Sequence, residues 1–76
     1  MGSDDRVKLK ALLNYWVEHN QEHSQEVRGR ADKARAFGEV RVAEEMLQAA
    51  KAMDKASGLL SKSLKRLEEE QGDVSS

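Results

Sequence analysis

The stretch AEEMLQAAKAMDKASGLLSKSLKRL, residues 43–67, decides the fold. Its apolar and small side chains recur in alternating steps of three and four residues. These positions are Ala43, Met46, Ala50, Met53, Ser57, Leu60, Leu64 and Leu67. Such spacing keeps one stripe of a helix turned toward one partner, as in a coiled coil. The stretch therefore predicts a long helix that packs lengthwise against another helix.

A less regular apolar stripe precedes this stretch and predicts the first helix. Its members are Leu9, Leu12, Leu13, Trp16, His23, Val27, Ala31, Ala34 and Phe37. Gly38 follows at once and is a typical residue to end a helix. We predict an all-α fold, an antiparallel helical hairpin over 5–71. Helix 1 would span about 5–37, Gly38 would form the turn, helix 2 would span about 39–70, and 72–76 would be a disordered tail. Gly29 leaves open a kink or break in helix 1 that would give three helices.

Composition narrows the function classes. The chain has 76 residues, no cysteine, no proline and a formal net charge of −1. Disulfides and thiolate metal sites are therefore excluded. No apolar run approaches the length of a membrane span or a signal-peptide core, so we expect a cytoplasmic protein without membrane contact. The basic region 28–41 contains one aromatic residue, Phe37, and nucleic-acid binding is not expected from it.

Two helices cannot cover both apolar stripes against each other, so we expect a partner. The economical solution is a homodimer in which two hairpins form a four-helix bundle. The predicted interface consists of Leu9, Leu13, Trp16, Asn20, Val27, Met46, Met53, Leu60, Leu64 and Leu67. The alternative is that the hairpin docks on another protein.

The segment YWVEHNQEHSQE, residues 15–26, holds both histidines of the chain. His19 and His23 are four residues apart, so they lie on one face of a helix and can bind the same divalent ion. Glu26 or Glu22 could supply a further ligand, and Asp54 lies at a similar level across the hairpin. Imidazole ligands favour a transition metal such as Ni, Zn or Co.

This segment has two other interpretations. Residues 19–23 match H-x-x-E-H, a metalloprotease motif, but a chain of this size has no room for the substrate cleft, and we do not expect an enzyme. Alternatively, His19, Asn20 and His23 form a polar layer that sets the register of the bundle, and the chain is a non-enzymatic interaction or scaffold module.

The segment W-x-E-H-N-x-E-H, formed by Trp16 to His23, heads the two-helix unit. Together with AEEMLQAAKAMDKASGLL, it resembles a small helical domain of unknown function over roughly 9–67. The resemblance implies a role in microbial metal handling and defines no activity. The histidine pair itself leads us to expect a metal-binding hairpin that serves sensing, storage or delivery rather than catalysis.

Overall fold

A computed structural model of the chain describes the backbone of residues 2–75 and the side chains of residues 4–69. It contains two helices, α1 (Gly2–Ala36) and α2 (Val40–Ser75). They pack antiparallel in a hairpin whose Cα atoms extend over 57 × 16 × 12 Å. The predicted all-α hairpin is confirmed, and Gly29 does not interrupt α1. Neither helix, within the described backbone, is long and apolar enough to cross a membrane.

The helix boundaries differ from the predicted ones mainly at the open end of the hairpin. The first helix starts at Gly2 rather than near residue 5, and the second continues to Ser75 rather than ending near residue 70. α2 thus includes residues 72–75, for which the sequence predicts a disordered tail, and Ser76 lies outside the described residues. Glycine costs a helix about 1 kcal/mol, which does not end one that is already nucleated. For this reason Gly72 does not stop α2.

Two backbone hydrogen bonds close α1 and turn the chain back. The amide of Glu39 donates to the carbonyl of Ala34 at 2.9 Å, and the amide of Gly38 donates to the carbonyl of Arg35 at 3.1 Å. Gly38 has a φ of 100°, a left-handed conformation that residues with a Cβ adopt at a cost. This combination is a Schellman motif, which satisfies carbonyls that the end of the helix would otherwise leave unpaired. The predicted turn at Gly38 is therefore confirmed.

We expect opposite effects of Gly→Ala substitutions at the turn and inside α1. Gly38→Ala should lower the free energy of unfolding by about 1–2 kcal/mol because its φ is unfavourable for alanine. Gly29→Ala should raise it by up to about 1 kcal/mol, because an added Cβ there meets open space and alanine favours the helix. Urea denaturation of both variants measures the difference. Equal changes in the free energy of unfolding of the two variants would contradict the role assigned to Gly38.

The helix–helix interface is built mainly from small side chains. The buried apolar residues of the described region are Leu13, Ala31, Ala34, Ala43 and Ala50. Ser24 and Ser57 are buried as well. Met46 and Leu47 pack against the alanines nearest the turn. Because alanine and serine project little beyond the backbone, the two helices approach closely. The hairpin therefore buries few large apolar side chains.

The stripe predicted on α2 is confirmed, since each of its eight residues is buried or half-buried. The stripe on α1 is rotated from the predicted one. The residues of α1 that face α2 are Leu13, Val17, Asn20, Ser24, Val27, Arg28, Ala31 and Ala34. Leu9, Leu12, Trp16 and His23 are exposed in the hairpin. The prediction that His23 belongs to the stripe by which α1 packs is therefore wrong for the hairpin, because the small Ser24 takes that place and lets the helices come together.

Candidate functional site

Both histidines lie side by side on the exposed surface of α1. Their Nε2 atoms are 3.1 Å apart, and their rings meet edge to face with centroids 4.5 Å apart. Tyr15 stacks on the other side of His19, with centroids 5.2 Å apart and an angle of 13° between the rings. Helical steps of four residues produce this ladder, since they bring each ring over the turn before it. Spacing could have revealed Tyr15, which the sequence analysis did not include.

The distance between the two Nε2 atoms suits chelation of one ion. Zinc binds histidine nitrogen at about 2.0–2.1 Å, so two nitrogens around a tetrahedral ion lie about 3.3 Å apart. At 3.1 Å the two histidines are already near that separation. To share one ion the two rings keep about this separation and turn so that both Nε2 lone pairs point at the metal.

Glu26 lies on the other side of the His23 ring. Its Oε1 is 3.9 Å from Nδ1 of His23, not from the paired Nε2 atoms. At this distance the carboxylate does not hydrogen-bond to the ring, and it lies on the side of His23 away from the paired Nε2 atoms. No contact brings Glu22 to the pair. Across residues 4–69, no group of three or more His, Asp or Glu side chains converges as a metal site.

Asp54, predicted as a ligand from across the hairpin, has different partners. The hydroxyl of Ser24 donates to Oδ1 of Asp54 at 2.6 Å and lies 3.3 Å from the carbonyl oxygen of Ala50. The guanidinium of Arg28 bonds to the other carboxylate oxygen. Hydrogen bonds from Ser24 and Arg28, together with the charge of Arg28, hold the pKa of Asp54 below its ordinary value of 3.8.

The polar layer between α1 and α2 is therefore Ser24, Arg28 and Asp54, and it fixes their register. His19 and His23, predicted as the alternative register layer, lie outside the packed interface, while Asn20 is half-buried in it. The large apolar residues along α1 do not predict this layer, because they lie on another face of the helix. The steps from Leu13 through Val17, Asn20 and Ser24 carry the signal that would have located it.

The contact between Ser24 and Asp54 predicts a pH dependence of stability. Because the pKa of Asp54 is lowered in the folded state, its contribution is complete above about pH 4 and is lost as the pH falls through the folded-state pKa. Asp54→Asn should therefore lower the melting temperature at pH 7 by more than at pH 2.5. Thermal melts at both pH values measure the difference in melting temperature between the variant and the wild type. The control is Asp32→Asn, at an exposed position near the turn. A difference in melting temperature that did not depend on pH would contradict the assigned contact.

The comparison with protein families matches residues 9–67 to a domain of unknown function, DUF8180. The chain belongs to this family. The matched range contains the histidine pair, the polar layer and the turn of this DUF8180 domain. No curated protein matches the chain. No solved structure matches it either.

The expected likeness to a domain of unknown function over 9–67 is thus confirmed. Metal handling is no part of that match and stays a prediction. The likeness assigns no activity to the DUF8180 domain, so its function must be argued from the residues.

Large apolar side chains lie next to the histidine pair in this DUF8180 domain. Leu9, Leu12 and Trp16 are 43%, 46% and 41% exposed, respectively. They precede His19 and His23 at steps of three and four, so the five residues form one stripe, which we call the flank of α1. Near the open end, a groove of about 370 Å³ runs between the helices beside this flank and is lined by Leu9, Leu13, Ser63, Arg66 and Leu67.

The opposite side of the hairpin is polar. A cavity of about 520 Å³ there is lined by Gln21, Ser24, Gln25, Arg28 and Asp54. The two sides therefore differ in character: one side has charge-paired polar groups, and the other has exposed leucine and tryptophan beside two imidazoles. The flank of α1 is the candidate functional surface.

Proposed function

We propose that the chain is a small self-associating helical protein that binds a divalent transition-metal ion through Nε2 of His19 and of His23. The observation that carries this proposal is the 3.1 Å distance between the two nitrogens on an exposed helix surface. Imidazole nitrogen is a good ligand for Zn, Ni and Co, and two such groups on successive turns bind one ion together.

Exposure of the pair favours sensing, storage or delivery over catalysis. His19 and His23 both lie on the surface of the hairpin, so an ion can reach the pair without a change in the fold. The imidazoles are exposed to solvent, and catalysis at a metal ion usually takes place in a site that excludes water. The carboxylate of Glu26, on the Nδ1 side of His23, supports binding through its negative charge rather than as a ligand of the ion.

The test is a thermal melt at about pH 7.5 with and without Zn²⁺ or Ni²⁺. A ligand at about 100 times its dissociation constant stabilises a protein by about 2.7 kcal/mol, which for a domain of this size raises the melting temperature by about 10 °C or more. His19→Ala combined with His23→Ala should abolish the shift. Absence of a shift in the wild type would remove the proposal.

A matched control keeps the composition unchanged. The double variant Gln21→His with His23→Gln still has two histidines, now at positions 19 and 21. Residues two apart point to different faces of a helix, so the two imidazoles can no longer bind one ion together. Because positions 21 and 23 are both exposed, the fold should be retained. This variant should lose the metal-dependent shift, and a shift equal to that of the wild type would show that the metal binds elsewhere.

A further inference from the structure

The histidine pair supplies only half of a closed metal site. Zinc in structural sites has four protein ligands, whereas His19 and His23 offer two nitrogens. No third histidine or carboxylate of residues 4–69 joins them in one site. A stable tetrahedral site therefore needs ligands from outside this copy of the chain.

The hairpin also exposes more surface than a compact protein of its mass. Its accessible area is 5982 Å², whereas a folded monomer of 8.5 kDa exposes about 4,700 Å². The excess of about 1,300 Å² is larger than the roughly 800 Å² that each partner buries in a standard interface. Since the flank of α1 carries exposed leucines and a tryptophan, it is the surface where such burial is most favourable.

We propose that a second copy of the chain packs against the flank of α1 and completes a site of four imidazoles, His19 and His23 from each copy. The proposal rests on the proposed metal binding and names its partner. In a two-fold symmetric contact each copy offers the same pair of Nε2 atoms, so four nitrogens surround one ion. Four neutral imidazoles and a divalent ion satisfy the tetrahedral preference of zinc.

The position of the pair favours an antiparallel arrangement of the two copies. His19 lies at the middle of α1 (Gly2–Ala36), so a two-fold axis at the level of the pair overlaps the two hairpins along almost their whole length. The same axis brings the acidic first turn of one α1, with Asp4 and Asp5, toward the basic last turn of the other, with Lys33 and Arg35. These charges attract each other in this arrangement, and a net charge of −1 per chain opposes association little.

The first experiment is calorimetric titration of the wild-type chain with Zn²⁺, combined with sedimentation at the same concentrations. One ion per two chains, in a species with the mass of two chains, supports the proposal. One ion per chain, at the mass of either one or two chains, overturns the shared site but leaves metal binding intact. No binding at all removes the proposed function and this inference with it. A dimer that binds no ion would show that the flank only joins copies, and would also overturn the shared site.

The second experiment tests the orientation of the two copies. Because the chain has no cysteine, Val7→Cys introduces a single site for a spin label on the exposed surface near the open end. With Zn²⁺, which is not paramagnetic, an antiparallel dimer centred on the histidine pair separates the two labels by about 40 Å, at 1.5 Å per residue. A distance below about 25 Å would show parallel copies and overturn the arrangement. The double variant His19→Ala with His23→Ala should lose the zinc-dependent 40 Å distance.

Discussion

Leu13→Ala is expected to destabilise the hairpin by about 2–5 kcal/mol, the usual cost of removing a buried leucine side chain. Leu13 is 6% exposed and is the one large apolar side chain among the buried residues of the described region. The other buried apolar residues are alanines, which cannot move far enough to fill the space it would leave. A small protein has a total stability of only about 5–15 kcal/mol, so the loss should be visible as partial unfolding at room temperature.

Urea denaturation followed by circular dichroism measures this loss. The matched control is Leu59→Ala, because Leu59 is also a leucine on the hairpin but is 57% exposed. Its replacement should change the free energy of unfolding by no more than about 0.5 kcal/mol. If both variants lost the same stability, Leu13 would not be the principal apolar contact between the helices.

Ala50→Leu is expected to destabilise the hairpin by about 1–3 kcal/mol, for the opposite reason. Ala50 is fully buried, and its carbonyl lies 3.3 Å from the hydroxyl of Ser24, so the two helices are close together at this level. A leucine there has no space and forces the helices apart. Overpacking of this kind usually lowers stability by about 1–3 kcal/mol. The displacement would also strain the hydrogen bond from Ser24 to Asp54.

Thermal melts of Ala50→Leu and of Ala52→Leu distinguish the effect of overpacking from the effect of exchanging an alanine for a leucine. Ala52 is exposed on the same helix, and leucine has nearly the same helix propensity as alanine. The control should therefore melt within a few degrees of the wild type. If Ala50→Leu were as stable as its control, the helices would be further apart than the short contact at Ser24 indicates.

The regular pattern of α2 could be predicted from the sequence and the face of α1 could not. In α2 the small residues and the large apolar residues lie on the same stripe, at every third or fourth position. The stripe that allows close packing is therefore also the one that hydrophobicity predicts. In α1 the large apolar residues, such as Leu12 and Trp16, lie beside the small ones, such as Ser24 and Ala31. Close packing against an alanine-rich helix selects the small residues, a choice that hydrophobicity alone does not reveal. The predicted stripe was therefore rotated.

For the candidate site, the sequence located the histidine pair but not its surroundings. The spacing of His19 and His23 was enough to place their imidazoles together, because helix geometry alone decides it. Their exposure, and the partners of Asp54, depended on which face of α1 meets α2. In the structure Asp54 therefore belongs to the polar layer and is no longer a candidate metal ligand.

The tight turn at Gly38 has a consequence for how the chain reaches its fold. Ala34 and Ala43 lie on either side of the turn and are both buried, so the first tertiary contact closes a very short loop. Each later contact extends an existing pair by one helical turn, and no step requires a search between distant parts of the chain. Small helical proteins rich in local contacts fold within microseconds to milliseconds. The open end of the hairpin, beside Leu9, would thus be assembled last, so a second copy meets the complete flank of α1 only after the hairpin has closed.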